Sequence, residues 1–402
     1  MKPQKSKNDK ALLTIFLVVL IDLLGFGIIL PLLPYIAEQY AANPIQIGLL
    51  SAAYSFFQFI AGPILGRLSD RYGRKKLLFI SQLGSVAGYV LLGLANSLPL
   101  LFVSRIIDGV TGGNISIAQA YVADVTTKEN RAKAMGMIGA AFGIGFMMGP
   151  AIGGYLSRFG YSVPAYFAAA IGLVTTLMTA FFLKETVNVK AAESSPKTAL
   201  SWAKMKEVFE IEPMGLLIIV YLLVNLGFSG MQGTYALWAQ KQFGWGPTQV
   251  GGLFAFIGIM SIIAQLKVLP WFLKTFGERL SLKLALPFLT IGFLLIPGST
   301  IFGGLVVHLL GNLFIVLGNS LSNPTITAIA SEKVPKEEYG ETMGILQSAA
   351  SVGRIGGPIL GAWLFYKAGV DSPYLFSALL FVAATIMVVT QLEHTRPAHT
   401  LK

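Results

Sequence analysis

The sequence predicts an all-α membrane protein, with twelve transmembrane helices in two six-helix repeats around a central cavity. Three observations predict it. Hydrophobic residues fill 54% of the 402 positions and charged ones only 12%, where a soluble domain usually carries about 25% charge. Apolar runs of about 20 residues, the length that crosses bilayer hydrocarbon, recur along the whole chain. The two halves also repeat each other in register. A mean hydropathy of +0.68 rules against a soluble two-domain protein. The absence of cysteine excludes disulfides, thiol catalysis and Cys-ligated zinc. Three histidines, His308, His394 and His399, two of them in or near the C-terminal tail, are too few and too scattered for a His-rich metal site, and no cofactor is expected.

The spans expected from charged breaks are 12–34, 46–66, 77–96, 100–121, 134–157 and 163–183, then 214–237, 249–270, 284–300, 303–327, 342–365 and 374–391. Residues 1–183 thus form an N-terminal six-helix bundle and residues 214–402 a C-terminal one. Between them, 184–213 is the one long polar stretch, with Ser194-Ser195-Pro196 and ten charges, and reads as a cytoplasmic linker. The first apolar run is too long for a cleavable signal and continues through Asp22 to Pro31. With both termini in the cytoplasm, 25 of the 30 Lys and Arg fall on the cytoplasmic side, as retention of cations there demands. A multi-pass protein of the cell (inner) membrane is expected, functional as a monomer. The net charge of +11 is then a record of topology and needs no nucleic-acid partner.

Asp124, Gly136, Gly149-Pro150, Gly153 and Leu156 correspond to Glu332, Gly344, Gly357-Pro358, Gly361 and Leu364, all 208 positions later. Two parallel repeats around a midplane cavity suit alternating access.

Motifs sit on this frame. The loop after span two reads Gly66-Arg67-Leu68-Ser69-Asp70-Arg71-Tyr72-Gly73-Arg74-Lys75-Lys76. Cation retention explains five basic residues but not the fixed Gly-x-x-x-Asp-Arg-x-Gly-Arg-Lys order. The matching stretch from Pro270 to Lys283 keeps Gly277 but has Lys274 at the acid's place. Span five carries Gly136, Gly145, Gly149-Pro150 and Gly153-Gly154. Small residues four apart let helix backbones approach, and proline removes a backbone donor. Span one holds Asp22, Gly25, Gly27, Pro31 and Pro34, and span four holds Arg105-Ile-Ile-Asp108-Gly109.

Together these segments resemble the major facilitator superfamily over the whole chain, more strongly in the first half. The loop is similar to its signature loop, the span-five array to the antiporter signature of drug:proton exchangers. With Tyr54 and Gln58 in span two, the likeness extends to the tetracycline efflux proteins. Those exporters typically carry acids in spans three and nine, where this chain has Gly88 and no acid over 284–300. The resemblance implies a transporter rather than an enzyme, with a cavity lined by spans one, four, seven and ten, and protons exchanged for a small substrate.

Only Asp22, Arg105, Asp108 and Arg354 lie well within spans. Facing lipid, each would cost about 2.5–3.5 kcal/mol, so they should face one another or water. Asp22 lies about 15 Å into span one at about 1.5 Å per residue, and a pairing with Arg105 is expected. Proton coupling is expected at Asp22 first and Asp108 second, with Arg105 and Arg354; opposed charges that serve structure alone are the alternative. The stripe Arg105, Asp108, Gly112, Ser116, Gln119 follows one face of span four. In the second half His308, Asn312, Asn319 and Asn323 share a face of span ten, Gln347, Ser351, Arg354 and Pro358 one of span eleven, and Asn225, Gln232, Tyr235 and Trp238 lie along span seven. These polar faces, with Tyr54 and Gln58, are the candidate substrate cavity. Inter-helix hydrogen bonding is the plainer reading for any single Asn or Gln. Gly66, Asp70, Arg71, Gly73, Arg74, Lys75 and Asp124, with the tight turn at Gly73, are the expected cytoplasmic gate.

Two functions fit. One is export of small amphipathic or drug-like compounds in exchange for protons. The other is facilitated or ion-coupled transport of a polar metabolite, with sodium a second coupling ion to weigh. No Ser/His/Asp set or Walker loop supports an enzyme, so energy must come from a gradient.

Overall fold

A computed structural model of the chain describes residues 4–126, 128–187, 202–332, 334 and 339–392. Among them there is no strand. The helices are α1 (Gln4–Ile29), α2 (Leu33–Glu38), α3 (Pro44–Tyr72), α4 (Arg74–Gly93), α5 (Leu98–Thr111), α6 (Asn114–Val125), α7 (Lys128–Leu156) and α8 (Ser162–Phe182). They continue as α9 (Trp202–Glu210), α10 (Met214–Phe243), α11 (Pro247–Ile263), α12 (Leu269–Ile301), α13 (Gly304–Glu332), α14 (Tyr339–Lys367) and α15 (Ser372–Gln391). Local chemistry sets several boundaries. Asn43 and Gln46 form a reciprocal capping box at the start of α3, with Pro44 in the first turn. Gly73, at φ 106° and ψ 139°, turns the chain from α3 into α4 where a side chain would be strained.

Every expected span has a helical counterpart, and three departures carry information. Span four is two helices, broken at Gly112–Gly113 between α5 and α6. Span eight is α11 prolonged by a π-helical turn, Ala264–Val268, into the start of α12. Pro270 accounts for that turn: it has no N–H to give, and its ring crowds the carbonyl of Leu266. Widening the helix by one residue relieves the clash. Finally, α12 kinks at Gly277 (φ 69°, ψ 175°), so the ninth helix starts right after that residue rather than at 284. The charges Glu278, Arg279 and Lys283 had suggested a later start, but a helix readily begins in the headgroup layer.

The chain forms two compact units: residues 1–196 with Tyr235–Gly258, and 197–234 with 259–402. In the first unit Ile15, Val19, Leu78, Ile117, Tyr121 and Ile138 make a core shared by α1, α4, α6 and α7. In the second, Phe293 of α12 meets Phe381 and Tyr374 of α15 at ring distances of 5.0 and 6.4 Å. The repeat is visible in backbone contacts. A Cβ on Gly149 would lie 2.8 Å from Gly27, and one on Gly153 would lie 2.5 Å from the Ile28 carbonyl. In the other unit a Cβ on Gly357 would lie 2.8 Å from Gly230, and one on Gly361 2.9 Å from the Gly230 carbonyl. The first and fifth helices of each repeat therefore touch backbone to backbone at equivalent positions. Large apolar side chains such as Phe181, Phe182, Ile301 and Leu379 point outward, as expected of a surface that meets lipid.

Candidate functional site

The break in span four organises the charged interior. Ending α5 at Thr111 leaves carbonyls without helical partners. The Gln58 amide donates to the Gly112 carbonyl at 3.0 Å and to the Tyr54 hydroxyl at 2.8 Å, and the Ser81 hydroxyl donates to the Thr111 carbonyl. Gly109 lets α5 approach α3, since a Cβ there would sit 2.7 Å from the Tyr54 carbonyl. Beyond the break Asn114, 1% exposed, opens α6 and donates its amide to Asp22 Oδ1 at 2.7 Å. The Asp22 carboxylate thus lies at the start of a half-helix, whose free N–H groups and dipole favour negative charge.

The expected Asp22–Arg105 pair is not what forms. Arg105 pairs within its own helix, Nη1 to Asp108 Oδ2 at 3.3 Å, and its guanidinium lies 5.8 Å from the Tyr89 ring centre. A three-residue spacing brings Asp108 to Arg105 wherever neighbouring helices point, so the local partner wins. Both side chains are buried. Against them packs Gly88, where a Cβ would lie 3.0 Å from Asp108 Cβ.

Arg354 of α14 donates to Ser351 at 2.9 Å and, with Gln347, lies beside Tyr221 of α10. Asn225 bonds back to the Tyr221 carbonyl at 2.8 Å. His308 and Asn312 depart from the expected cavity lining: both are buried, with His308 Nδ1 3.4 Å from the Ser299 hydroxyl of α12 and the Asn312 amide on the His308 carbonyl. They belong to the α12–α13 interface, where inter-helix bonding is the better description. Tyr235 is buried too, against Trp238 and Phe254 at 6.1 and 5.6 Å. Asn319 accepts from Asn323 at 2.8 Å. Ser116, Gln119 and Gln347 are exposed side chains on their helices, and Gln232 and Asn319 are half-buried.

At the other end of the first unit, Arg74 gathers the expected cluster. It pairs with Asp70, with Asp124 at 3.2 Å and with the Ser69 hydroxyl at 2.7 Å. Arg71 lies 5.4 Å from the Tyr72 ring centre instead; Gly66 lies inside α3, accepting from the Ser69 hydroxyl at 2.6 Å, and Lys75 is in the first turn of α4. Sequence reasoning missed two members. Glu185 accepts from the Arg74 backbone N–H at 2.7 Å, capping α4 from beyond α8, because Gly73 has no side chain to do so. Thr186 donates to Asp124 at 2.9 Å. The signal was present in the chain as an acid two residues after an apolar span.

In the span-five array Gly145, Gly149 and Gly153 seat α7 on α1, and Gly154 meets α11, where a Cβ would lie 2.7 Å from the Pro247 carbonyl. Thr248 reinforces that contact by donating to the Gly154 carbonyl at 3.0 Å. The side-chain position of Gly136 lies outside the described residues, as do His394 and His399. Among the described residues no group of His, Cys, Asp or Glu has the geometry of a metal site.

The Major Facilitator Superfamily model matches residues 15–356 and 314–402. Multidrug resistance protein 2 of Bacillus subtilis (strain 168) is 29% identical over 405 residues, covering 99% of this chain and all of that protein. The class D tetracycline resistance protein of Salmonella ordonez is 30% identical over 365 residues, 89% of this chain and 90% of its own. Among solved structures, the human organic anion transporter MFSD10 is 25% identical with a TM-score of 0.71, covering 96% of this chain and 100% of that one.

Proposed function

We propose, for a chain that belongs to the Major Facilitator Superfamily and is therefore a multi-pass membrane transporter, that it exports small amphipathic or drug-like compounds in exchange for protons by alternating access. The observation that carries the coupling half of this reading is Asp22. It is a carboxylate within a span, held by one neutral amide and without an arginine partner among the described residues. A charge so placed changes its surroundings when it gains a proton, because the half-helix dipole at Asn114 then no longer faces a negative charge. Arg105 and Asp108, already paired, make a neutral backdrop against which that single change is felt.

The substrate half rests on the relatives named for multidrug and tetracycline resistance. The acid that the tetracycline exporters carry in span three has no counterpart at Gly88, yet the same helix pair holds Asp108, which abuts that glycine from α5. A carboxylate at this interface is thus retained on the other helix. The Asp70–Arg74–Asp124 cluster, with Glu185 and Thr186, serves as the cytoplasmic gate by tying the ends of α3, α4, α6 and α8 into one piece.

Reconstituted vesicles with an imposed pH gradient test the coupling. Dye-like and antibiotic compounds that are substrates should discharge the gradient, and Asp22→Asn should abolish that discharge while substrate binding persists. Uptake or release that ignores the gradient would instead favour the facilitator of a polar metabolite. Replacing the proton gradient by a sodium gradient identifies the ion.

A further inference from the structure

Span eight bears a feature that the transport reading does not use. Its π-helical turn, Ala264–Val268, buries Ala264 and packs on α12 and α13. The opposite face runs Ile259, Ile263, Lys267, Trp271 and Lys274. On a regular helix this stripe would drift round the axis; one extra residue in the wide turn brings its two ends onto one line. All five side chains are exposed, Ile259 at 46%, Ile263 at 42% and Trp271 at 55%. Its character changes along its length, from isoleucine to a Lys-Trp-Lys set about 10 Å long at about 1.5 Å per residue. Trp271 is edge-on to Phe272 and Phe276 at 5.1 and 5.7 Å, an aromatic anchor of the kind that sits at headgroup level. Among the described residues, neither Lys267 nor Lys274 has an ion pair, a hydrogen bond or a ring contact. An exposed lysine beside an aromatic anchor at headgroup level is placed to meet an anion there.

We infer that this face binds an anionic phospholipid, with its headgroup phosphate between Lys267 and Lys274 beside Trp271 and its acyl chains along Ile263 and Ile259. The order of the stripe matches the lipid from head to tail. Charge complementarity selects the headgroup, since two unpartnered ammonium groups favour phosphatidylglycerol or another net-negative lipid over a zwitterionic one. The glycerol backbone lies over the wide turn, where Leu266 is 73% exposed.

The test is native mass spectrometry of the full-length protein in mild detergent with added phosphatidylglycerol or phosphatidylcholine. The wild type should retain phosphatidylglycerol preferentially. Lys267→Gln/Lys274→Gln should weaken that retention roughly thirtyfold, the loss expected for two surface charges, while Lys267→Arg/Lys274→Arg keeps it. Lys76→Gln/Lys206→Gln removes the same charge elsewhere and should leave retention unchanged. Equal retention of both lipids, an unaltered double variant, or an equal loss in the distant variant would overturn the inference. So would competition by glycerol phosphate alone, which would point to a free phosphate site without chains. Monodispersity in gel filtration confirms that each variant is folded.

Discussion

At Gly149 even a methyl group would meet the backbone of Gly27 at 2.8 Å, and neither helix has a flexible side chain there to yield. Gly149→Ala should therefore cost about 1–3 kcal/mol, the usual penalty for overpacking, read as a lower melting temperature in detergent. Gly62 of α3 faces open space, so Gly62→Ala should instead stabilise by about 0.5–1 kcal/mol. Glu185→Ala removes the side-chain cap of α4 and should cost about 1 kcal/mol; Asp70→Asn should cripple transport while leaving the melting temperature nearly intact. The identities of the charged interior residues were legible in the sequence, because so few charges interrupt the spans. Their partners were not. Helical spacing shows that Arg105 and Asp108 share a face, but it says nothing of how α1 is rotated against α5. Asn114 was hidden by treating span four as unbroken.

Among the elements, all twelve spans could be read from apolar length alone, and each has its helix. What length cannot reveal is a change of path inside an apolar run. Gly112-Gly113, Gly277 and the turn before Pro270 each alter direction without adding polarity. The kink at Gly277 has an electrostatic consequence. It places Glu278 in a partly buried position near Glu332, and burial first and that neighbour second raise the Glu278 carboxyl above its ordinary range. A carboxyl whose proton is held more tightly in the folded state favours folding at acid pH, and that contribution fades as pH rises through the raised value. Glu278→Gln should thus raise the melting temperature near pH 7 and do nothing below pH about 4, where the native carboxyl is already protonated. A melting series across pH checks both limbs.

For the whole molecule, an orientation with both termini in the cytoplasm makes a prediction that chemical labelling checks directly, because the chain has no cysteine of its own. Lys367→Cys should react with an impermeant thiol reagent in intact cells, and Lys76→Cys only after the membrane is opened. The reverse pattern would invert the topology. The duplication was legible as a fixed offset of 208, yet its glycines alone did not tell which helix they touch; only the folded chain pairs Gly357 with Gly230 as it pairs Gly149 with Gly27. The grouping of residues also differs from their order along the chain. Tyr235–Gly258 packs with the first unit although 197–234 packs with the second. Tyr35 donates to the Trp245 carbonyl at 3.0 Å, and Gly154 presses on Gly251. During synthesis these contacts wait until residue 258 has left the ribosome, by which time the seventh helix has already emerged. A half-length product ending at Pro196 would insert its six helices yet keep an open seam at Tyr35 and Gly154, a ready substrate for membrane quality control.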